Sequence, residues 1–273
     1  MISIREVAEL AGVSAATVSR VMNGTAKVDP EKRERVLLCN TGYDPEKEKA
    51  AVKMLVSMNA DAIIIASCSE YVREIINKCP IPVVALDAML YGANVEACVF
   101  CDYYEGGRMA MEHLIENGCK KIVCIKGPQY RYSASARYQG YLDVCRERDI
   151  PERTVECDYD FNQGIAMTEK LLKEFPDVDG IIACNDIVAI STYKVLHKRK
   201  IAVPDTVQLI GFDDISFASL LSPELTTICQ PIKEMVEKAV ELIVNNELTG
   251  MTGGKFIFPV SLVVRQTTTK KES

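Results

Sequence analysis

The chain lacks any run of about 18 consecutive apolar residues, so no segment reads as a membrane-spanning helix. Its first residues lack the charged-then-apolar pattern of a secretion leader, because Arg5, Glu6 and Glu9 interrupt it. Both absences imply a cytoplasmic protein with no membrane partner. Positive charge is not in excess: 32 Lys and Arg stand against 38 Asp and Glu, a net charge of −6. Any nucleic-acid contact must therefore be local. Histidine is scarce. Of the two, His113 sits among apolar neighbours in a helical pattern, and His197 lies in LHKRK, where a cation suits a helix C-terminus. No GxGxxG follows a strand, and GMTGGKF (250–256) has neither P-loop spacing nor a Ser or Thr after Lys255. No nucleophile pairs recognisably with a base. The sequence thus predicts no catalysis, no cofactor and no metal.

Cysteine, by contrast, is plentiful. The eleven residues are odd in number and spread through a chain too long to need stapling, which implies reduced, partly buried thiols. Cys98-Val-Phe-Cys101 is a lone CxxC in a strand-like setting, where the two thiols would point to opposite faces.

At 273 residues and 48% hydrophobic, the chain can bury a full core and divide into more than one domain. Residues 1–36 are helical in pattern. Ser3-Ile-Arg-Glu6 fits a capping box, Gly12 suits a helix end, and Ser14 can cap a second helix that runs out at Asn23-Gly24. Asp29-Pro30-Glu31 restarts a third. Beyond Leu37 short apolar runs alternate with amphipathic segments. The runs are ADAIIIAS (60–67), IPVVALD (81–87), KKIVCIKG (120–127), VDGIIACND (178–186) and VQLIGFDD (207–214). Segments 70–79, 104–117, 136–148, 163–175, 187–199 and 231–247 read as helices, and KFIFPVSLVVRQ (255–266) as a terminal strand pair. Such alternation predicts an all-α headpiece followed by an α/β body of parallel sheets.

In the second helix Val18, Val21 and Met22 share one face, which leaves Ala16, Arg20 and Asn23 on the other. Two helices joined by a short glycine-containing turn form a helix-turn-helix, whose second helix can enter the DNA major groove. Ala15 and Ala16 would face base edges and offer only methyl groups, so Arg20 is the candidate for hydrogen-bonded base reading. Ser14, Thr17, Ser19 and Asn23 suit phosphates. An ordinary helical hairpin with a solvated face fits the same pattern, and six Lys/Arg against five Asp/Glu over 1–36 hardly separate the two. In the body, ligands of open parallel sheets sit beyond the C-terminal strand ends. Those ends carry Ser67, Asp87, Asn185-Asp186 and Asp213-Asp214, which suit a sugar or nucleobase-like ligand, although Asn185, Asp186 and Asp214 equally suit helix caps.

The string VAELAGVSAATVSRVMNG closely resembles the DNA-binding headpiece of the lactose/galactose repressor (LacI/GalR) family. Four further blocks match that family in order: 102–128, SARYQGYLDVCRE (135–147), 180–232 and FPVSLVVRQTT (258–268). The resemblance implies a transcription regulator, dimeric or tetrameric, with a two-lobed periplasmic-binding-protein fold. A homodimer would place two recognition helices on a near-palindromic operator and answer to a small effector. It also implies effector contacts at Arg137 and Asp213, an aromatic ligand contact at Tyr159, and additional contacts at Glu105 and Asn185. The expected headpiece is 1–36. The N-terminal lobe is 37–118 with 231–250, and the C-terminal lobe is 119–230 with 251–273. The family's hinge helix and the first strand and helix of its N-terminal lobe, about sixty residues, have no counterpart. LLCNTGYDPEKEK (37–49) resembles the family's second strand and the segment after it. Arg33–Leu38 as helix and Val36–Cys39 as strand compete for the same residues. With the hinge gone, the alternative is a ligand-binding or dimerisation module whose headpiece no longer reads an operator.

Overall fold

The computed structural model describes residues 36–42, 44–66, 70–90, 95–245 and 253–270. The headpiece candidates Ser14, Ala15, Ala16, Thr17, Ser19, Arg20 and Asn23, and the strand-end residue Ser67, lie outside the described residues. Among the described residues no helix is long and apolar enough to cross a membrane.

The body forms two compact units, divided after Phe100, after Pro231 and after Phe256. The first unit holds α1 (Pro45–Ser57), β1 (Ile63–Ile65), α2 (Glu70–Ile76), β2 (Val83–Leu86), most of β3 (Ala97–Cys101), α7 (Ile232–Val244) and the start of β9 (Gly254–Phe258). Its sheet runs β1-β2-β3-β9, with β1, β2 and β3 parallel. Every residue of β2 and β3 is buried, as their unbroken apolar sequences require of central strands. β1 lies at the sheet edge, and its Ile64 is 38% exposed.

The second unit holds α3 (Tyr103–Glu116), β4 (Ile122–Lys126), α4 (Tyr132–Glu147), β5 (Thr154–Glu156), α5 (Phe161–Glu174), β6 (Gly180–Ala183), α6 (Asp186–Lys198), β7 (Gln208–Asp213), a 3₁₀ turn (Ser216–Leu220), β8 (Thr226–Cys229) and β10 (Ser261–Val263). The strand order is β10-β8-β7-β6-β4-β5, parallel except for β10 against β8. Helix starts obey the sequence signals. Asp102 caps α3, Asp160 caps α5 and Asn185 caps α6, each side chain accepting a backbone N–H three residues on.

Three expectations are corrected. Residues 36–40 form neither helix nor strand. A strand needs a neighbour, and β1 pairs with β2 alone among the described residues. Helix α1 stands outside the expected helices, although Asp44 caps it with a proline directly behind, the same signal as Asp29-Pro30. The first crossing between units falls at 100/101 rather than near 118–120, because α3 packs into the second unit. A Cβ on Gly107 would stand 2.0 Å from the Arg137 carbonyl oxygen, and one on Gly140 would stand 2.2 Å from that of Tyr104. Two glycines thus let α3 and α4 touch backbone to backbone. The two strands of 255–266 exist, but each joins a different sheet.

A polar cluster at the strand ends of the second unit

Arg137 lies on α4, one helical turn before Gly140, with its side chain 12% exposed. Its Nη1 donates to the carbonyl oxygen of Cys184, just past β6, at 2.8 Å. Its Nη2 stands 3.6 Å from Asp213 Oδ1 at the end of β7. The guanidinium lies 3.6 Å from the centre of the Phe212 ring and 5.3 Å from that of Tyr103, a stacked position that holds the plane while leaving its edge free. Burial opposes the charge, yet Tyr159 and Asp213 beside it raise the pKa above the ordinary arginine value.

Asp213 is placed by strained backbone. Its φ is 117° and that of Asp214 is 55°, both in the region that favours glycine. Gln230, just past β8, donates from Nε2 to Asp213 Oδ1 at 2.6 Å, and the Cys101 thiol donates to Gln230 Oε1 at 3.4 Å. Asp214 turns the other way and pairs with Arg265 at 2.7 Å. The two acids of GFDD therefore have different partners.

Two buried polar atoms beside this chain of contacts have no hydrogen-bond partner among the described residues: Arg137 Nε and Tyr159 Oη. Tyr159 comes after β5, with its ring against Gly127 and the Arg131 guanidinium 5.4 Å from its centre. Burial raises its phenol pKa; Ser133 lies close enough to oppose the rise but outside hydrogen-bonding geometry. Unsatisfied buried groups are costly, and they recur where a ligand completes the bonding. The cavity behind Arg137 is about 20 Å³, room for roughly one water.

Of the residues the sequence nominates, Arg137, Asp213 and Tyr159 come together. Asn185 is adjacent through Cys184, and its Oδ1 caps α6 by accepting from Val188 N at 2.9 Å. Glu105 is exposed in the first turn of α3 and makes no side-chain bond to the cluster. Asp87 directly follows β2 in the first unit. Gln230 is a cluster member that the sequence does not nominate, because β8 is a short Thr-rich strand that carries no apolar-run signal. Cys98 and Cys101 lie buried in β3 with no disulfide, and the described residues contain no group of three or more His, Cys, Asp or Glu placed to hold a metal ion.

The parallel sheet gathers an arginine, an acid, an amide and an aromatic ring at its strand ends. Residues 111–268 match the periplasmic binding protein-like domain, and residues 3–43 match the bacterial regulatory proteins of the lacI family. A ribose operon repressor of Halalkalibacterium halodurans is 30% identical over 98% of this chain and 97% of its own. A transcriptional repressor PurR of Haemophilus influenzae is 28% identical over 89% of this chain and 90% of its own. A LacI-type regulator from Alkaliphilus metalliredigens, solved with D-xylulofuranose, is 34% identical with a TM-score of 0.75, covering 93% of each chain. The chain belongs to the lacI family of bacterial regulatory proteins.

Two details of these matches bear on the N-terminal part. The headpiece match runs to residue 43, which assigns LLCNTGY to the headpiece and overturns its reading as a strand of the body. The alignment with the ribose operon repressor spans 325 positions against 273 residues, so at least 52 (325 less 273) positions of that relative have no counterpart here.

Proposed function

We propose that the chain is a cytoplasmic, homodimeric repressor that reads a near-palindromic operator and releases or grips it in response to a small polyhydroxylated effector, with no catalysis. The observation that carries the reading is the Arg137–Asp213–Gln230 chain with its orphaned Arg137 Nε and Tyr159 Oη, in a protein whose residues 3–43 match the lacI headpiece. Arg137 and Asp213 would grip vicinal hydroxyls with opposite polarity, Tyr159 would cover a ring face, and Asn185 and Glu105 would complete the contacts. A pentose is the first candidate, since relatives are a ribose operon repressor and a regulator solved with a ketopentose. Calorimetric titration with D-ribose and D-xylulose tests this; no heat from either, or from other free sugars, overturns the sugar reading.

In the headpiece, Arg20 would read a base edge while Ser14, Thr17, Ser19 and Asn23 hold phosphates and Ala15 and Ala16 allow close approach. Arg20→Ala is expected to remove the preference for operator over scrambled duplex, at about 1–3 kcal/mol per half-site, while the body stays folded. Selection of bound duplexes from a random pool at fixed salt supplies the operator for that comparison. Unchanged discrimination by the variant would remove Arg20 from the interface. A second reading keeps the body and loses operator recognition. It is favoured by the missing positions of the 325-position alignment, because a protein without a hinge helix forgoes the minor-groove wedge of such regulators. A folded chain that enriches no duplex decides for it.

The dimer would use the 3₁₀ turn after β7. Phe217 and Leu220 stand 60% and 74% exposed there, apolar side chains better covered by a symmetric partner than left in water. Leu220→Glu is expected to shift sedimentation from dimer to monomer at micromolar concentration. A variant that sediments as the wild type does would move the interface elsewhere.

A further inference from the structure

Asp186 is fully buried at the first position of α6, beneath the strand-end cluster. Its Oδ1 accepts from the Thr227 hydroxyl on β8 at 2.6 Å, and its Oδ2 accepts from the Ile215 amide at 2.9 Å. Gly211 on β7 makes the space: a Cβ there would stand 2.1 Å from Oδ1. One carboxyl therefore ties three elements, each of which carries a residue of the cluster. Asn185 precedes it directly, Asp213 lies two residues beyond Gly211, and Gln230 lies three beyond Thr227. Ile215 closes the strained turn that aims Asp213 at Gln230 and Arg137.

Charge counting adds a second argument. The ionisable groups around Asp186 are Asp213 and Asp214 from the turn after β7, with Arg137 of α4 facing Asp213 and Arg265 of the C-terminal segment facing Asp214. Three carboxyls share two guanidiniums. Asp213 and Asp214 each have one, and Asp186 has none; its partners are a neutral hydroxyl and an amide.

We propose that Asp186 is a protonation-dependent positioning residue for the effector site: its carboxyl exchanges a proton, and the Asp213 turn responds to its charge. The inference rests on the effector reading above for what the turn does, but not for the titration itself. Burial, with repulsion from Asp213 and Asp214 added and the Thr227 and Ile215 hydrogen bonds opposing, lifts its pKa to about 7. A carboxylate accepts from both Ile215 and Thr227. A protonated carboxyl gives up one of these bonds or turns the Thr227 hydroxyl around, and the Ile215 amide feels the change. The sign for binding comes from solvation. A ligand covering Asp213 removes its remaining water, strengthens its repulsion of Asp186, and so tightens the Asp186 proton. Binding then takes up a proton, and affinity falls as pH rises through neutrality.

The test begins with the full chain, ¹⁵N-labelled at isoleucine and titrated from pH 5.5 to 9. The Ile215 amide should shift with a midpoint near 7 in the wild type and stay flat in Asp186→Asn, whose amide fits both partners if Thr227 accepts instead of donating. Thr227→Val, which removes the bond favouring the carboxylate, should move the midpoint upward. It supplies the comparison should the first variant fold poorly. A flat Ile215 resonance in the wild type, or a shift unchanged in the variants, overturns the proposal. D-ribose titrations at pH 6 and 8 then read the coupling, with affinity several-fold weaker at pH 8 in the wild type and equal at both in Asp186→Asn. Equal affinity in the wild type overturns the coupling and leaves the sugar site standing. An Ile215 shift as expected with no sugar bound supports Asp186 as the positioning residue and overturns the sugar reading alone.

Discussion

Gly107→Ala is expected to destabilise the second unit by about 3 kcal/mol or more, lowering Tm by roughly 6–12 °C. In an exposed helix the same change would stabilise by about 1 kcal/mol, because alanine loses less backbone freedom. Here the added methyl meets the Arg137 carbonyl oxygen at 2.0 Å, and neither helix backbone can yield without shifting the other. Sterics win over propensity. The ion pairs of Arg108, one across the two helices and one within α3, do not rescue it. Arg108 meets Glu147 at 2.7 Å and Glu112 at 2.9 Å, yet partly exposed pairs contribute only about 0.2–1 kcal/mol each. Because Arg137 itself supplies the contact, the displaced α4 would also carry its guanidinium away from Cys184 and Asp213. Differential scanning fluorimetry of Gly107→Ala against Gly42→Ala, whose Cβ meets nothing within 4 Å but whose φ of 59° carries its own backbone strain, separates this clash from a purely conformational penalty. Equal Tm changes would remove the helix contact as the cause.

Arg137→Ala is expected to abolish measurable effector binding, a loss of about 2–5 kcal/mol or thirty-fold upward. The side chain does more than touch a ligand. Its removal takes the Nη1 donor from the Cys184 carbonyl and the guanidinium charge from beside Asp213, which weakens the hold on that carboxylate. Arg137→Lys tests how much of this is charge alone. A lysine keeps the charge but cannot bond Cys184 and face Asp213 in one plane while stacking on Phe212, and should recover only a small part of the affinity. Asp213→Asn should keep the Gln230 contact by rotating the amide, yet lose the ion pair. Calorimetry of the three variants with a sugar that binds the wild type would unseat the cluster as the effector site if all three bound normally.

Much of the body is legible in the sequence, and the reason is burial on both faces. A strand covered by helices on each side must be apolar throughout, and the five apolar runs of the sequence each contain one of β1, β2, β4, β6 and β7. β5 and β8 leave no such signature, since TVE and TTIC are short and mix polar residues into the pattern. The silence of β8 is what hides Gln230. Arg137, Asp213 and Tyr159 are legible through resemblance and strand-end logic together, while the orphaned atoms that mark the cluster exist only in three dimensions. The boundary at 100/101 is not legible. Helix α3 looks like any amphipathic helix, and only the backbone contact at Gly107 and Gly140 decides which unit it joins.

The edge position of β1 has a consequence for handling and for the cell. Among the described residues, the three isoleucines of β1 have a strand neighbour on one side only, a template onto which another extended chain can add. Solubility should therefore depend on dosage: modest expression leaves dispersed protein, while overproduction favours strand addition and inclusion bodies.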